Sequence, residues 1–195
     1  MSNRQFLDYI TAGHHQVEGW AQPSIFPVVR CLDEFQEQQS LSGDIAEIGV
    51  HHGKFFLVLH NCLRSEERSV AIDVFGDQKA NIDQSGRGDL GAFQENLRLH
   101  ANVPERCTVI AQDSIEMCES EMRSILSGGL GTRLFSVDGG HTPEHTINDL
   151  LLAISVSHSY GVIFVDDYYN PHWPGVHIGL TRLFSSTFPK FVPFG

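Results

Sequence analysis

The sequence predicts an α/β protein built on a doubly wound, mostly parallel sheet with helices on both faces. Two observations carry that prediction. From Gly43 onward, short apolar runs alternate with longer helix-like segments through five βα repeats joined by short links, and this alternation builds a parallel sheet covered by helices. Two of the runs, Leu134-Phe135-Ser136-Val137-Asp138 and Val162-Ile163-Phe164-Val165-Asp166-Asp167, are largely apolar and end in acid. Such runs read as strands buried on both faces, and parallel strands deliver their C-terminal residues to one edge of the sheet. Three carboxylates gathered there repel one another and call for a cation or a substrate.

The elements follow in order. Asn3 to Thr11 reads as a short amphipathic helix, His14 to Pro27 as a connector bearing Gly, Pro and His, and Val28 to Gln39 as a second helix. Together they form an N-terminal helical extension, residues 1–42, separate in character from residues 43–195. Expected strands are Asp44–Gly49, Ser69–Asp73, Cys107–Ala111, Arg133–Asp138 and Gly161–Asp166. The helices expected after them are Gly53–Leu63, Leu90–Ala101, Ser114–Leu126, Pro143–Ser157 and Val176–Ser186. The longest irregular link, Val74 to Asp89, carries Gly76, Gly86 and Gly88. At a strand C-terminus a loop of that length reads as a lid or binding loop. Phe191 to Gly195 looks like the start of a sixth strand, which implies either missing C-terminal strands or a small sheet.

Composition narrows the function. The 195 residues suffice for one well-buried domain. Thirteen basic against 24 acidic side chains give a net charge of −11, and no Lys/Arg cluster offers itself to phosphates, which argues against nucleic acid and anionic membranes. Cys31, Cys62, Cys107 and Cys118 form no CxxC pair and lie in or beside apolar segments, so they read as buried reduced thiols. Neither a signal sequence nor an apolar run near 18 residues is apparent, and the chain reads as cytosolic.

Glu47-Ile48-Gly49-Val50-His51-His52-Gly53 spans the first strand–helix turn. Gly49 and Gly53 permit a tight turn and close approach of a ligand to backbone, and a helix starting near Gly53 offers unpaired N–H groups. Two bulky histidines within the turn disfavour a pyrophosphate, which would need GxGxxG. Asp73 closes the second strand 24 residues after Gly49, where an acid accepts hydrogen bonds from ribose hydroxyls in nucleotide-binding α/β folds. Gln112-Asp113-Ser114 closes the third, and Asp113 reads either as a contact to an adenine edge or as a helix N-cap.

These motifs taken together, E-x-G-x-x-x-G, the second-strand Asp73, D-G-G-H at 138–141 and V-D-D-Y at 165–168, resemble those of class I S-adenosylmethionine-dependent methyltransferases. The resemblance is to the metal-assisted O-methyltransferases of macrolide and aminocoumarin sugars and to the related cephalosporin hydroxylase-like proteins. It covers roughly residues 43–195 and implies a Rossmann-like fold. It further implies that Glu47, Gly49, Gly53 and Asp73 serve the cofactor's methionine and ribose parts, and that Asp138, Asp166 and Asp167 bind a Mg²⁺-like ion that positions vicinal hydroxyls of a small-molecule acceptor. Many relatives carry an acid where this chain has Gly140. Relatives often associate, which makes the N-terminal helices candidate contacts of a homo-oligomer, though the sequence does not fix the oligomeric state.

Chemistry points the same way. Hard oxygen ligands suit Mg²⁺ rather than Zn²⁺, and a dication makes a hydroxyl easier to deprotonate near neutral pH. His141, three residues beyond Asp138, is placed to act as general base, or else to brace its loop. His141-Thr142-Pro143-Glu144-His145 also spells H-x-x-E-H, a pattern of inverted zinc peptidases. Thr142 as N-cap and Pro143 as first helical residue would start the helix between the two histidines and defeat that reading. Tyr168 to Gly175, with His172 and Trp173, reads as an acceptor wall or a braced turn, and by family analogy His14, His15 and Trp20 close over the cofactor. The expected function is therefore S-adenosylmethionine-dependent O-methylation of a hydroxylated small molecule. A hydroxylase-like metal enzyme and a non-catalytic cofactor-binding module are the alternatives.

Overall fold

The structure is a computed structural model that describes residues 4–77, 79–126, 131–186 and 191–192. Five parallel strands form one sheet: β1 (Asp44–Ile48), β2 (Ser69–Asp73), β3 (Cys107–Ala111), β4 (Thr132–Val137) and β5 (Ser157–Val165), in the order β3-β2-β1-β4-β5. The helices are α1 (Arg4–Thr11), α2 (Ile25–Gln38), α3 (Phe56–His60), α4 (Leu90–His100), α5 (Glu119–Ile125), α6 (Pro143–Val156) and α7 (Pro174–Ser186). The doubly wound α/β architecture expected from the alternation is present.

Successive side chains of a strand face opposite ways, and the apolar residues divide accordingly. Ile45, Ala71 and Leu134 face one way and pack with Phe6, Tyr9, Phe26, Val29, Phe56 and Phe93 of α1 to α4. Ala46, Ile48, Val70, Ile72, Phe135 and Val137 face the other way, against α5, α6 and α7. The N-terminal helices therefore share the core of the sheet, with Phe6, Tyr9, Phe26 and Val29 buried. No helix among the described residues is long and apolar enough to cross a membrane.

At the N-terminal edge, the pairing of β4 with both neighbours skips Arg133, an irregularity of the kind that re-aims a side chain. The guanidinium, fully buried, lies 2.9 Å from both Glu67 carboxylate oxygens and 2.9 Å from Asp33 Oδ1, and donates to the Cys62 carbonyl at 2.7 Å. Asp33 belongs to α2, so this network ties the N-terminal helices to the central strands.

Several expectations change. The helix expected over 53–63 is only Phe56–His60, because residues 51–55 form turns. The helix expected over 114–126 breaks into a 3-10 turn (Ser114–Glu116) and α5, with extended backbone at Met117 and Cys118; burial of Met117 and Met122 against the sheet overrides helix continuity. β5 begins four residues early, at Ser157. Phe191 and Val192 are not in a strand, and 193–195 lie outside the described residues. The four cysteines are free, but Cys31 and Cys118 are exposed rather than buried.

Candidate functional site

Strand order reverses between β1 and β4, and open α/β sheets bind ligands in the crevice beyond the carboxyl ends at such a point. A cleft of about 1500 Å³ opens there, larger than the roughly 300–1,000 Å³ of a typical small-molecule site. It gathers Gly49, Asp73, Asp113, Asp138, Asp166 and Asp167, together with His141.

One half centres on Gly49 and Asp73. Gly49 has φ +85°, and a Cβ there would stand 1.8 Å from the Asp138 carbonyl oxygen, so only glycine lets β1 and β4 end side by side. Asp73 holds the turn above: its Oδ2 accepts from His51 N at 2.7 Å and its Oδ1 from Phe75 N at 2.5 Å. Both donors lie in left-handed backbone, at φ 50° and 46°, conformations that persist where the surroundings fix them. Burial pushes the Asp73 carboxyl up from its ordinary value, and these backbone hydrogen bonds oppose the rise.

Glu47 and Gly53, also expected on this side, do not line the cleft. Gly53 has φ +91° and lets the turn pack on Phe93. Glu47 is buried in β1, its Oε2 without a hydrogen bond. Burial pushes it up to about 8 against a hydrogen bond from Ser136, with Asp166 and Asp73 adding repulsion. Asp113 fulfils the capping role, accepting from Ile115 N at 3.2 Å, while also lining the cleft.

The other half holds the acids that end β4 and β5. Asp166 N donates to the Val137 carbonyl at 3.1 Å, and Asp167 N donates to Asp166 Oδ1 at 2.9 Å. The Asp138 carboxyl is raised well above its usual range by burial and by repulsion from Asp166, Glu47, Asp167 and Asp73. Asp166 is raised too, chiefly by burial, with Asp167 adding to it. Ligand atoms of Asp138, His141 and Asp167 all lie within 4.8 Å of one another. This donor set fits a divalent cation, whose charge would relieve the repulsion.

His141 is fixed from both sides. Asp83, in the 74–89 loop, accepts from His141 N at 2.6 Å and sits 2.7 Å from its Nδ1, while Trp173 stacks on the ring at 4.4 Å. Burial acts to lower the His141 pKa, but the Asp83 and Asp167 carboxylates outweigh it and raise the group above its ordinary value. Asp83 is itself held well below the usual carboxylate range, as its hydrogen bonds with His141 and Ser85 overcome burial.

Three neighbours of these residues were not expected at the site, His145 having been met only within H-x-x-E-H. Asp83 lies in the loop singled out by length, yet nothing local marks it as the partner of His141. His145 occupies the space over Gly140, where a Cβ would stand 2.8 Å from its Cγ. Thr142 caps α6, its Oγ1 accepting from His145 N at 3.2 Å, so His141 precedes the helix that carries His145. Asp149, fully buried on α6, sits beneath Gly139, where a Cβ would meet its Oδ2 at 2.5 Å.

Of the expected walls, His172 and Trp173 line the cleft, whereas Tyr169 is 91% exposed. Trp20 also lines it, and Gly86 of the long loop approaches its ring. His14 is instead buried, with Nδ1 3.4 Å from the Tyr9 carbonyl oxygen.

Comparison with known proteins adds independent information. A family described as a methyltransferase domain matches residues 46–168. No curated protein sequence matches the chain. Among solved structures, the O-methyltransferase NovP superposes with a TM-score of 0.68 at 16% identity, over 83% of this chain and 71% of that one. The O-methyltransferase TomG from Streptomyces achromogenes, involved in tomaymycin synthesis and solved with S-adenosylmethionine, gives 0.56 at 14% identity, over 95% and 78%. An O-methyltransferase from Bacillus cereus, solved with S-adenosylhomocysteine, gives 0.55 at 17% identity, over 94% and 77%. At these identities the likeness is one of fold.

Proposed function

The chain belongs to the methyltransferase-domain family, and on that premise we propose that it is an S-adenosylmethionine-dependent O-methyltransferase acting on a hydroxylated small molecule, a sugar or natural product, with help from a divalent cation. The observation that carries this reading is the juxtaposition in one cleft of Gly49 and Asp73 with Asp138, His141 and Asp167. Gly49 brings backbone against a ligand, and the Asp73 oxygens retain lone pairs for ribose hydroxyls after accepting from His51 and Phe75. Solved relatives of the same fold hold S-adenosylmethionine or its product.

S-adenosylmethionine, when bound, would supply a sulfonium-borne methyl group; its carbon bonds to the acceptor oxygen as the carbon–sulfur bond breaks and S-adenosylhomocysteine leaves, a displacement helped mainly by positioning. Asp138 and Asp167, with Asp166 beside them, would hold a divalent cation, which would supply Lewis acidity to a diol. The residues of the chain orient and enclose. Trp20, His172 and Trp173 line the cleft, and the 74–89 loop meets Trp20 through Gly86 and His141 through Asp83. Gly140 offers no carboxylate to take the acceptor's proton.

Calorimetric titration with S-adenosylmethionine and S-adenosylhomocysteine, with and without Mg²⁺, tests the proposal. Both should bind in the absence of metal. Failure of both to bind would remove the methyltransferase reading, and binding with no metal response in an acceptor assay would remove the cation.

A further inference from the structure

We propose that His141 is a metal ligand through Nε2, positioned by Asp83, and that the resulting mixed nitrogen–oxygen site selects a first-row transition ion over Mg²⁺. The inference rests on the reading that a divalent cation serves this cleft, and it changes both the ligand set and the ion. His141 Nε2 is buried, and the side chain is only 8% exposed. It lies 3.0 Å from Asp167 Oδ2. Two ligand atoms each about 2.1 Å from one octahedral cation, at right angles, stand about 3.0 Å apart, so the spacing suits a shared ion. Asp138 completes the group of three.

Asp83 supplies the orientation. Its Oδ2 is 2.7 Å from His141 Nδ1 and 2.6 Å from His141 N, so a cation bound between Asp138 and Asp167 would displace the Nε2 proton while Asp83 keeps the one on Nδ1. A carboxylate behind an imidazole is the recurrent second layer of metal sites, and losing it weakens metal affinity about 10–100-fold. Trp173 stacked on the ring restricts its remaining rotation. Imidazole suits Fe²⁺, Ni²⁺, Cu²⁺ and Zn²⁺, whereas Mg²⁺ prefers oxygen. A histidine committed in this way is unavailable as the general base.

The test is pulsed electron paramagnetic resonance on the full chain loaded with Mn²⁺, with calorimetric Zn²⁺ and Mg²⁺ affinities alongside. The wild type should show ¹⁴N modulation from a directly coordinated imidazole. His141→Gln should lose it and bind Zn²⁺ about tenfold more weakly or worse while its Mg²⁺ affinity falls much less; Asp83→Asn should weaken Zn²⁺ about 10–100-fold. Circular dichroism establishes that the variants fold, and the wild-type spectrum stands without them. Mn²⁺ bound with no ¹⁴N modulation, or modulation that survives in His141→Gln, would overturn the assignment of His141. No Mn²⁺ or Mg²⁺ binding by a chain that still binds S-adenosylhomocysteine would overturn the cation itself.

Discussion

A Cβ on Gly49 would stand 1.8 Å from the carbonyl oxygen of Asp138, and the two residues end the neighbouring central strands on either side of the cleft. This contact joins the half that faces a cofactor to the half that carries the acids. Gly49→Ala must therefore part β1 from β4 or abandon the left-handed φ. The expected outcome is a loss of about 3 kcal/mol or more, read by urea denaturation. S-adenosylhomocysteine affinity should fall at least about tenfold, the equivalent of roughly 1.4 kcal/mol. Near-wild-type stability would mean that the strands part easily.

Gly140 and His145 form a second such pair. Replacing Gly140 by Asp should destabilise by about 1–3 kcal/mol, the range for overpacking, because its Cβ meets the imidazole of His145. Adding His145→Ala should recover much of that loss, so a double-mutant cycle read by thermal melting should show coupling well above about 0.5 kcal/mol. Additive losses would contradict the proposed steric exchange.

Arg133 carries the opposite edge. Its buried guanidinium serves both Glu67 and Asp33, so Arg133→Leu leaves Glu67 without its cation and Asp33 with Arg64 alone. A cost of about 3–5 kcal/mol is expected in denaturant, with the α2 contacts loosening first in hydrogen exchange. A loss under about 1 kcal/mol would show that water reaches these acids.

Asp149 makes stability depend on pH. Burial pushes it up to about 6, against hydrogen bonds from Ser114 and Asn148. A carboxyl whose pKa is higher folded than unfolded favours the fold while protonated. That contribution is complete below pH ~3.9 and is lost as pH rises through about 6, a difference of about 3 kcal/mol. Asp149→Asn should therefore raise Tm at pH 7.5 and lose most of the gain near pH 4.5. Equal shifts at the two pH values would contradict the assignment.

The sheet was legible because the strands are short, largely apolar runs, and the central ones, β1, β2 and β4, are buried on both faces. The same reasoning placed Asp73, Asp138, Asp166 and Asp167 at one edge. What stayed hidden was contact between distant residues. Asp83 meets His141 across 58 positions and Arg133 meets Asp33 across 100, and neither pairing leaves a period in the chain. Local chemistry was misread where packing overrode it: α3 starts at Phe56 because Asp73 holds the preceding turn, and α5 is cut short where Met117 turns into the core.

The most direct measurement of the central claim is the affinity of S-adenosylmethionine for Asp73→Asn and Asp166→Asn, by calorimetry beside the wild type. If the cleft divides into a cofactor half and an acceptor half, Asp73→Asn weakens binding at least about tenfold, roughly 1.4 kcal/mol, and Asp166→Asn leaves it within about twofold, roughly 0.4 kcal/mol, while abolishing methyl transfer. Unchanged affinity in Asp73→Asn, or a large loss in Asp166→Asn, would contradict that division.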